Sequence, residues 1–103
     1  MTAIAVVTTV GSREEAQRLA RTLVGRKLAA CAQISAIESI YRWKDAVQQE
    51  PEFRVLLKTT DERYAEVERA IRDLHSYELP AIHAFAFEHV FPAYAAWIGE
   101  NVS

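Results

Sequence analysis

CAQISAIESIYRW, residues 31–43, is the stretch on which the fold turns. It holds no glycine or proline and reads as one extended strand. Its apolar side changes phase. Ala30, Ala32 and Ile34 fall on even positions, whereas Ile37, Tyr41 and Trp43 fall on odd ones. Strand side chains alternate strictly, so the change predicts a bulge or bend near Ser35-Ala36. At roughly 3.3 Å per residue this strand spans about 43 Å. A compact chain of about 100 residues has a diameter of only about 33 Å. The strand therefore predicts a hairpin arm that overhangs the body and carries Tyr41 and Trp43. Large aromatics on such an arm point to a partner surface.

Outward from that strand, the polar segment Lys44 to Pro51 is expected to hold the turn. Phe53, Val55, Leu57 and Thr59 then alternate on the next strand. Thr59-Thr60-Asp61-Glu62 has the pattern of a capping box, in which hydroxyl and carboxylate satisfy the first free amides of a helix. Tyr64, Val67, Ile71 and Leu74 follow as a helical stripe. Ala81 to Val90 reads as a fourth strand, and Pro92 suits the first turn of a short helix ending near Ile98. In the other direction, Ile4 to Thr9 is an apolar, β-branched run that Gly11 interrupts. Ser12-Arg13-Glu14-Glu15 is a capping box, and Ala16, Leu19, Ala20, Leu23 and Val24 form a helical stripe that Gly25 should end. The order is β-α-β-β-α-β with an added helix. This predicts an α+β chain of ferredoxin-like topology, a single unit over residues 1–103, with two helices on one face of a four-stranded antiparallel sheet.

Composition narrows the function classes. Twelve Lys and Arg stand against fourteen Asp and Glu, giving a net charge of −2. There is no basic run, so nucleic acid is not the expected partner. The lone Cys31 cannot staple the chain, which fits a reducing cytoplasm. The start has no basic region ahead of its short apolar run, so neither a signal peptide nor a membrane span is expected. No glycine-rich phosphate loop, GxSxG or CxxC motif occurs, and no catalytic residue is expected.

All three histidines lie in LHSYELPAIHAFAFEHV, residues 74–90. His83 and His89, placed on one strand, would be roughly 20 Å apart and could not share an ion within one chain. His75 stands at the end of a helix, followed by Tyr77 and Glu78, in a bend that Pro80 stiffens. Imidazole and carboxylate together suit a borderline divalent metal. A helix C-cap His75 with a solvated Glu78 is the competing reading. Cys31, flanked by alanines, reads as a small packed hydrophobe.

Five segments in order, KLAACAQI (27–34), SIYRW (39–43), LLKTT (56–60), HSYELP (75–80) and YAAWI (94–98), resemble the CutA family of divalent-cation tolerance proteins. The resemblance implies a non-enzymatic homotrimer, assembled by strand pairing between subunits as in the PII-type signalling proteins. It implies tolerance of copper and other divalent cations, with no tightly bound cofactor. It also marks Cys31, Tyr41, Trp43, Lys58 and Tyr77 as motif or subunit-cleft residues beside the metal candidates His75 and Glu78. Thr8, Leu74 and Ala81 stand where some relatives carry further potential ligands, so weak binding is expected. The alternative function is a PII-like sensor that binds a small anion or metabolite at subunit clefts near Lys58 and His75.

Overall fold

The computed structural model describes residues 2–103. In chain order the elements are β1 (Ala3–Val10), α1 (Arg13–Gly25), β2 (Cys31–Trp43), β3 (Ala46–Thr60), α2 (Tyr64–Leu74), β4 (Ile82–Ala86) and α3 (Pro92–Glu100). One turn of 3-10 helix, Asp61–Arg63, leads into α2. The sheet runs β2-β3-β1-β4 and every pairing is antiparallel. This is the ferredoxin-like topology that the sequence predicts.

Register assigns the two faces, because directly paired residues point the same way. Val6 pairs with Leu57, Leu57 with Ala32, and Val6 with Ala84. Even positions of β1, β2 and β4 therefore share a face with odd positions of β3. Helices α1 and α2 cover that face, and Leu19, Leu23, Val67 and Ile71 join Val6, Val10, Val55 and Leu57 in one core. Complete burial of each of these side chains contributes about 1.5–3 kcal/mol. The opposite face carries Ala5, Val7, Cys31, Lys58, Glu52, His83 and Phe85.

The expected bulge at Ser35-Ala36 does not form. The β2–β3 register runs unbroken from Cys31↔Lys58 to Trp43↔Ala46. The apolar set changes sides because the cover changes sides. Ala32 and Ile34 pack toward the helical core, whereas Ser39, Tyr41 and Trp43 point to the other face, across an open cleft from the segment that follows α2. The turn is also much shorter than Lys44 to Pro51. Two residues make it, Lys44 (φ 50°) and Asp45 (φ 65°), both in the left-handed region that a tight, twist-matched hairpin requires. Pro51 lies inside β3. It is tolerated because β1 meets β3 only from Phe53 to Thr60, so beyond Phe53 one edge of β3 is open and needs no amide. The hairpin gives the molecule a long axis of 45 Å against 26 and 22 Å, in keeping with the overhang anticipated from strand length.

Four local expectations are corrected. Ser12 Oγ accepts from the Glu15 amide at 3.1 Å, but the Glu15 carboxylate does not reach back to close the box; it bonds Ser76 instead. The Thr59 hydroxyl donates to the Leu28 carbonyl at 2.7 Å rather than capping α2. Gly25 is the last residue of α1 and not its left-handed terminator; Lys27 takes that role at φ 60°. Its amide donates to Val24 and that of Leu28 donates to Leu23, the double closure of a Schellman motif. Strand β4 is five residues long, not ten. It pairs with β1 only from Ile82 to Ala86, so His89 lies outside it with its side chain 93% exposed.

Candidate functional site

The segment after α2 is held at three points by distant parts of the chain. His75 ends the helix with an extended backbone, and its amide still donates to the Ile71 carbonyl. Its Nε2 lies 2.8 Å from the Thr9 carbonyl oxygen. A carbonyl only accepts, so Nε2 carries the proton and Nδ1 holds the lone pair. Nδ1 accepts from the Tyr77 amide at 3.1 Å. The imidazole is thus fixed in one neutral tautomer. Next, the Ser76 amide and hydroxyl donate to the two oxygens of Glu15, each at 3.0 Å. Glu15 is buried, and this fork supplies the partners that a buried carboxylate needs. Finally, Tyr77 leans on the imidazole with centroids 4.8 Å apart, and its hydroxyl donates to Glu52 Oε2 at 2.8 Å. Gly11 makes room for this: a Cβ there would stand 3.3 Å from the Tyr77 oxygen.

Glu52 is buried on the sheet face opposite the helices. Burial pushes the Tyr77 phenol well above its ordinary pKa, and the hydrogen bond to Glu52 and the negative charges nearby add to the shift. Tyr41 on the hairpin donates to Glu50 at 3.1 Å, and its phenol is raised as well, by desolvation first and then by Glu50. Between the hairpin and the bend lies an open cleft of about 860 Å³. Tyr41, Trp43, Tyr77 and Glu78 all line it, so the structure gathers four of the sequence-predicted residues around one space.

Lys58 and Cys31 lie elsewhere. They face each other across β2 and β3, and Cys31 is a half-buried free thiol. Lys58 Nζ donates to the Tyr94 hydroxyl at 3.1 Å and sits 5.1 Å from that ring's centroid. Tyr94 stacks on Trp97 at 5.6 Å. Lys58 and Glu52 share a sheet face, as the alternation of β3 implies; Glu52 lines the cleft beside the hairpin, whereas Lys58 meets Tyr94. Helix α3 covers the Lys58 end, whereas Tyr77 covers the Glu52 end. The sequence reading missed Glu15, whose first-turn position suggested only a cap, and Gly11, which read only as a strand breaker. Among the described residues, no three His, Cys, Asp or Glu side chains converge as a metal-binding group.

Comparison with known proteins gives a consistent picture. The model of the CutA1 divalent ion tolerance protein family matches residues 4–101. The divalent-cation tolerance protein CutA of Archaeoglobus fulgidus is 38% identical over 94 residues, covering 91% of this chain and 92% of its own. That of Thermotoga maritima is 36% identical over 99 residues, covering 96% and 98%. Among solved structures, the periplasmic divalent cation tolerance protein CutA of Archaeoglobus fulgidus superposes with a TM-score of 0.96 at 36% identity, over 98% of this chain and 99% of the other. The divalent cation tolerance protein of Thermus thermophilus gives 0.94 at 34% identity, over 98% and 99%.

Proposed function

The chain belongs to the CutA1 divalent ion tolerance protein family, and from that premise we propose that it is a non-enzymatic homotrimer that binds divalent cations weakly, copper among them, in the cytoplasm. The observation that carries this reading is the family match across nearly the whole chain. The geometry of His75 supports the weak binding. Histidines that ligate metals typically donate their other ring N–H to a carbonyl or carboxylate, which fixes the tautomer. His75 already does so through Nε2 to Thr9, leaving Nδ1 as the nitrogen that would meet a cation. A cation must first displace the Tyr77 amide from Nδ1, at a cost of about 0.5–1.5 kcal/mol for one hydrogen bond. Exposed Glu78, three residues on, would supply the carboxylate.

Assembly is supported by what one chain leaves uncovered. Ile40 and Val47 on the hairpin are 66% and 65% exposed, and Phe85 and Trp97 are 53% and 42% exposed. Stable self-association would bury such a set. Among the described residues no helix is long and apolar enough to cross a membrane.

Metal-titration calorimetry tests the ligand assignment on the wild type, His75→Ala and the His83→Ala/His89→Ala double variant. Binding at micromolar affinity or weaker, about −8 kcal/mol or less in magnitude, is expected in the wild type and the double variant and lost in His75→Ala. Full affinity in His75→Ala with loss in the double variant would overturn it. Light scattering should give three times the 11.6 kDa chain mass; a monomer mass ends the assembly part.

A further inference from the structure

The bend after α2 leaves His75 without a free lone pair. Nε2 donates to the Thr9 carbonyl, and Nδ1 accepts from the Tyr77 amide at 3.1 Å. A cation reaches Nδ1 only if that amide moves. The amide belongs to the peptide that joins Ser76 to Tyr77, and both residues are anchored from outside the bend. Ser76 donates its amide and hydroxyl to the two oxygens of Glu15, in the first turn of α1, each at 3.0 Å. Tyr77 donates its hydroxyl to Glu52 on β3 at 2.8 Å, and its ring lies against the imidazole. Glu15 and Glu52 are both buried, so water competes little for either anchor. Hydrogen bonds to a carboxylate are roughly twice as strong as neutral ones. The bond that a cation must replace, amide to neutral imidazole, is therefore the weak one, and the anchors on either side of it are the strong ones.

With the peptide in place Nδ1 is covered; with the peptide swung away the lone pair meets solvent. Only the open form takes a cation, so the apparent Kd is the intrinsic value divided by the open fraction. Glu15 and Glu52 hold the peptide through Ser76 and Tyr77 and so set that fraction without touching the cation themselves. We propose that the bend is a latch on His75, kept shut by Glu15 and Glu52, that controls how readily a divalent cation binds. The latch rests on the reading of His75 as the metal ligand. Loosening a structural support weakens a site, whereas loosening a latch strengthens it.

Diethyl pyrocarbonate consumes a free imidazole lone pair and so reads the open fraction without any metal. Carbethoxylation of His75 is followed by peptide mass spectrometry at about pH 7, where an unperturbed imidazole is mostly neutral. His89, with its side chain 93% exposed, is the internal reference. Relative to His89, His75 should react about tenfold faster in Glu15→Ala, which removes two bonds to the bend. A smaller acceleration is expected in Ser76→Ala and Tyr77→Phe, which remove one bond each. Calorimetry with Cu²⁺ on the same proteins should show Kd falling by matching factors, with no binding once His75→Ala is added. Should Glu15→Ala fail to fold, Ser76→Ala and Tyr77→Phe decide. Unchanged reactivity of His75 would overturn the latch, and so would Cu²⁺ affinity that stays level or weakens while His75 reacts faster. Faster reaction with no Cu²⁺ binding in any of the proteins would uphold the latch on the lone pair and overturn instead the assignment of His75 as the metal ligand.

Discussion

Replacing Tyr77 by Phe isolates the contact that fastens the bend to the sheet. The substitution keeps the ring against His75 and removes only the hydroxyl that donates to Glu52 at 2.8 Å. A hydrogen bond to a charged group contributes about 1.5–3 kcal/mol net, and the half-exposed position of Tyr77 argues for the low end, about 1.5 kcal/mol. In a chain of this size that corresponds to a fall in Tm of roughly 6–12 °C, read at fixed protein concentration. The phenol also has an alkaline signature. Burial, then the bond to Glu52, holds its pKa above the ordinary value, so the native state keeps a proton that the unfolded chain loses. The stability from this group is therefore complete below about pH 10 and declines as pH rises beyond it. Tyr77→Phe should abolish that part of the alkaline decline. A double-mutant cycle with Glu52→Gln should show coupling of about 1 kcal/mol. Additive effects in the cycle, or a Tm within 2 °C of wild type, would show that the Tyr77–Glu52 contact contributes nothing and that the bend is held by Glu15 and Thr9 alone.

Three further outcomes are expected. Thr8→Val should raise stability by about 1 kcal/mol in chemical denaturation, because the buried Thr8 hydroxyl has no hydrogen-bond partner among the described residues; destabilisation would mean that a partner exists. Lys27→Gly should stabilise by up to about 1 kcal/mol, since the residue stands at φ 60° in a Schellman motif. An unchanged denaturation midpoint would count against that. Glu15→Ala should cost about 2 kcal/mol through the loss of two bonds to Ser76, and hydrogen exchange should quicken at the Ser76 amide; unaltered exchange would refute the clamp.

How much of the chain was legible in its sequence depends on the range of the interaction. The continuous apolar run of β1, the alternation in β3 and the 3.6-residue stripes of α1 and α2 reveal which side chains are buried, because local backbone geometry sets those periods. The element order and the overhang of the hairpin follow from the same local information and from length. The motif residues Tyr41, Trp43, Tyr77 and Glu78 were also visible, and the cleft collects them. Other features depended on neighbours far along the chain. The phase change in β2 is a change of cover, made only when the segment after α2 folds across the sheet. The ends of β4 are set by where β1 offers partners. Glu15 serves Ser76 from 61 positions away, and Thr9 orients His75 from 66. The left-handed residues Lys27, Lys44 and Asp45 carry no glycine signal, since the surrounding closures impose their conformation. Local patterns thus determined which residues face the core. The pairing of buried polar groups was decided only by the tertiary structure, because each such group must find a partner and the one it finds is whatever the fold brings within about 3 Å.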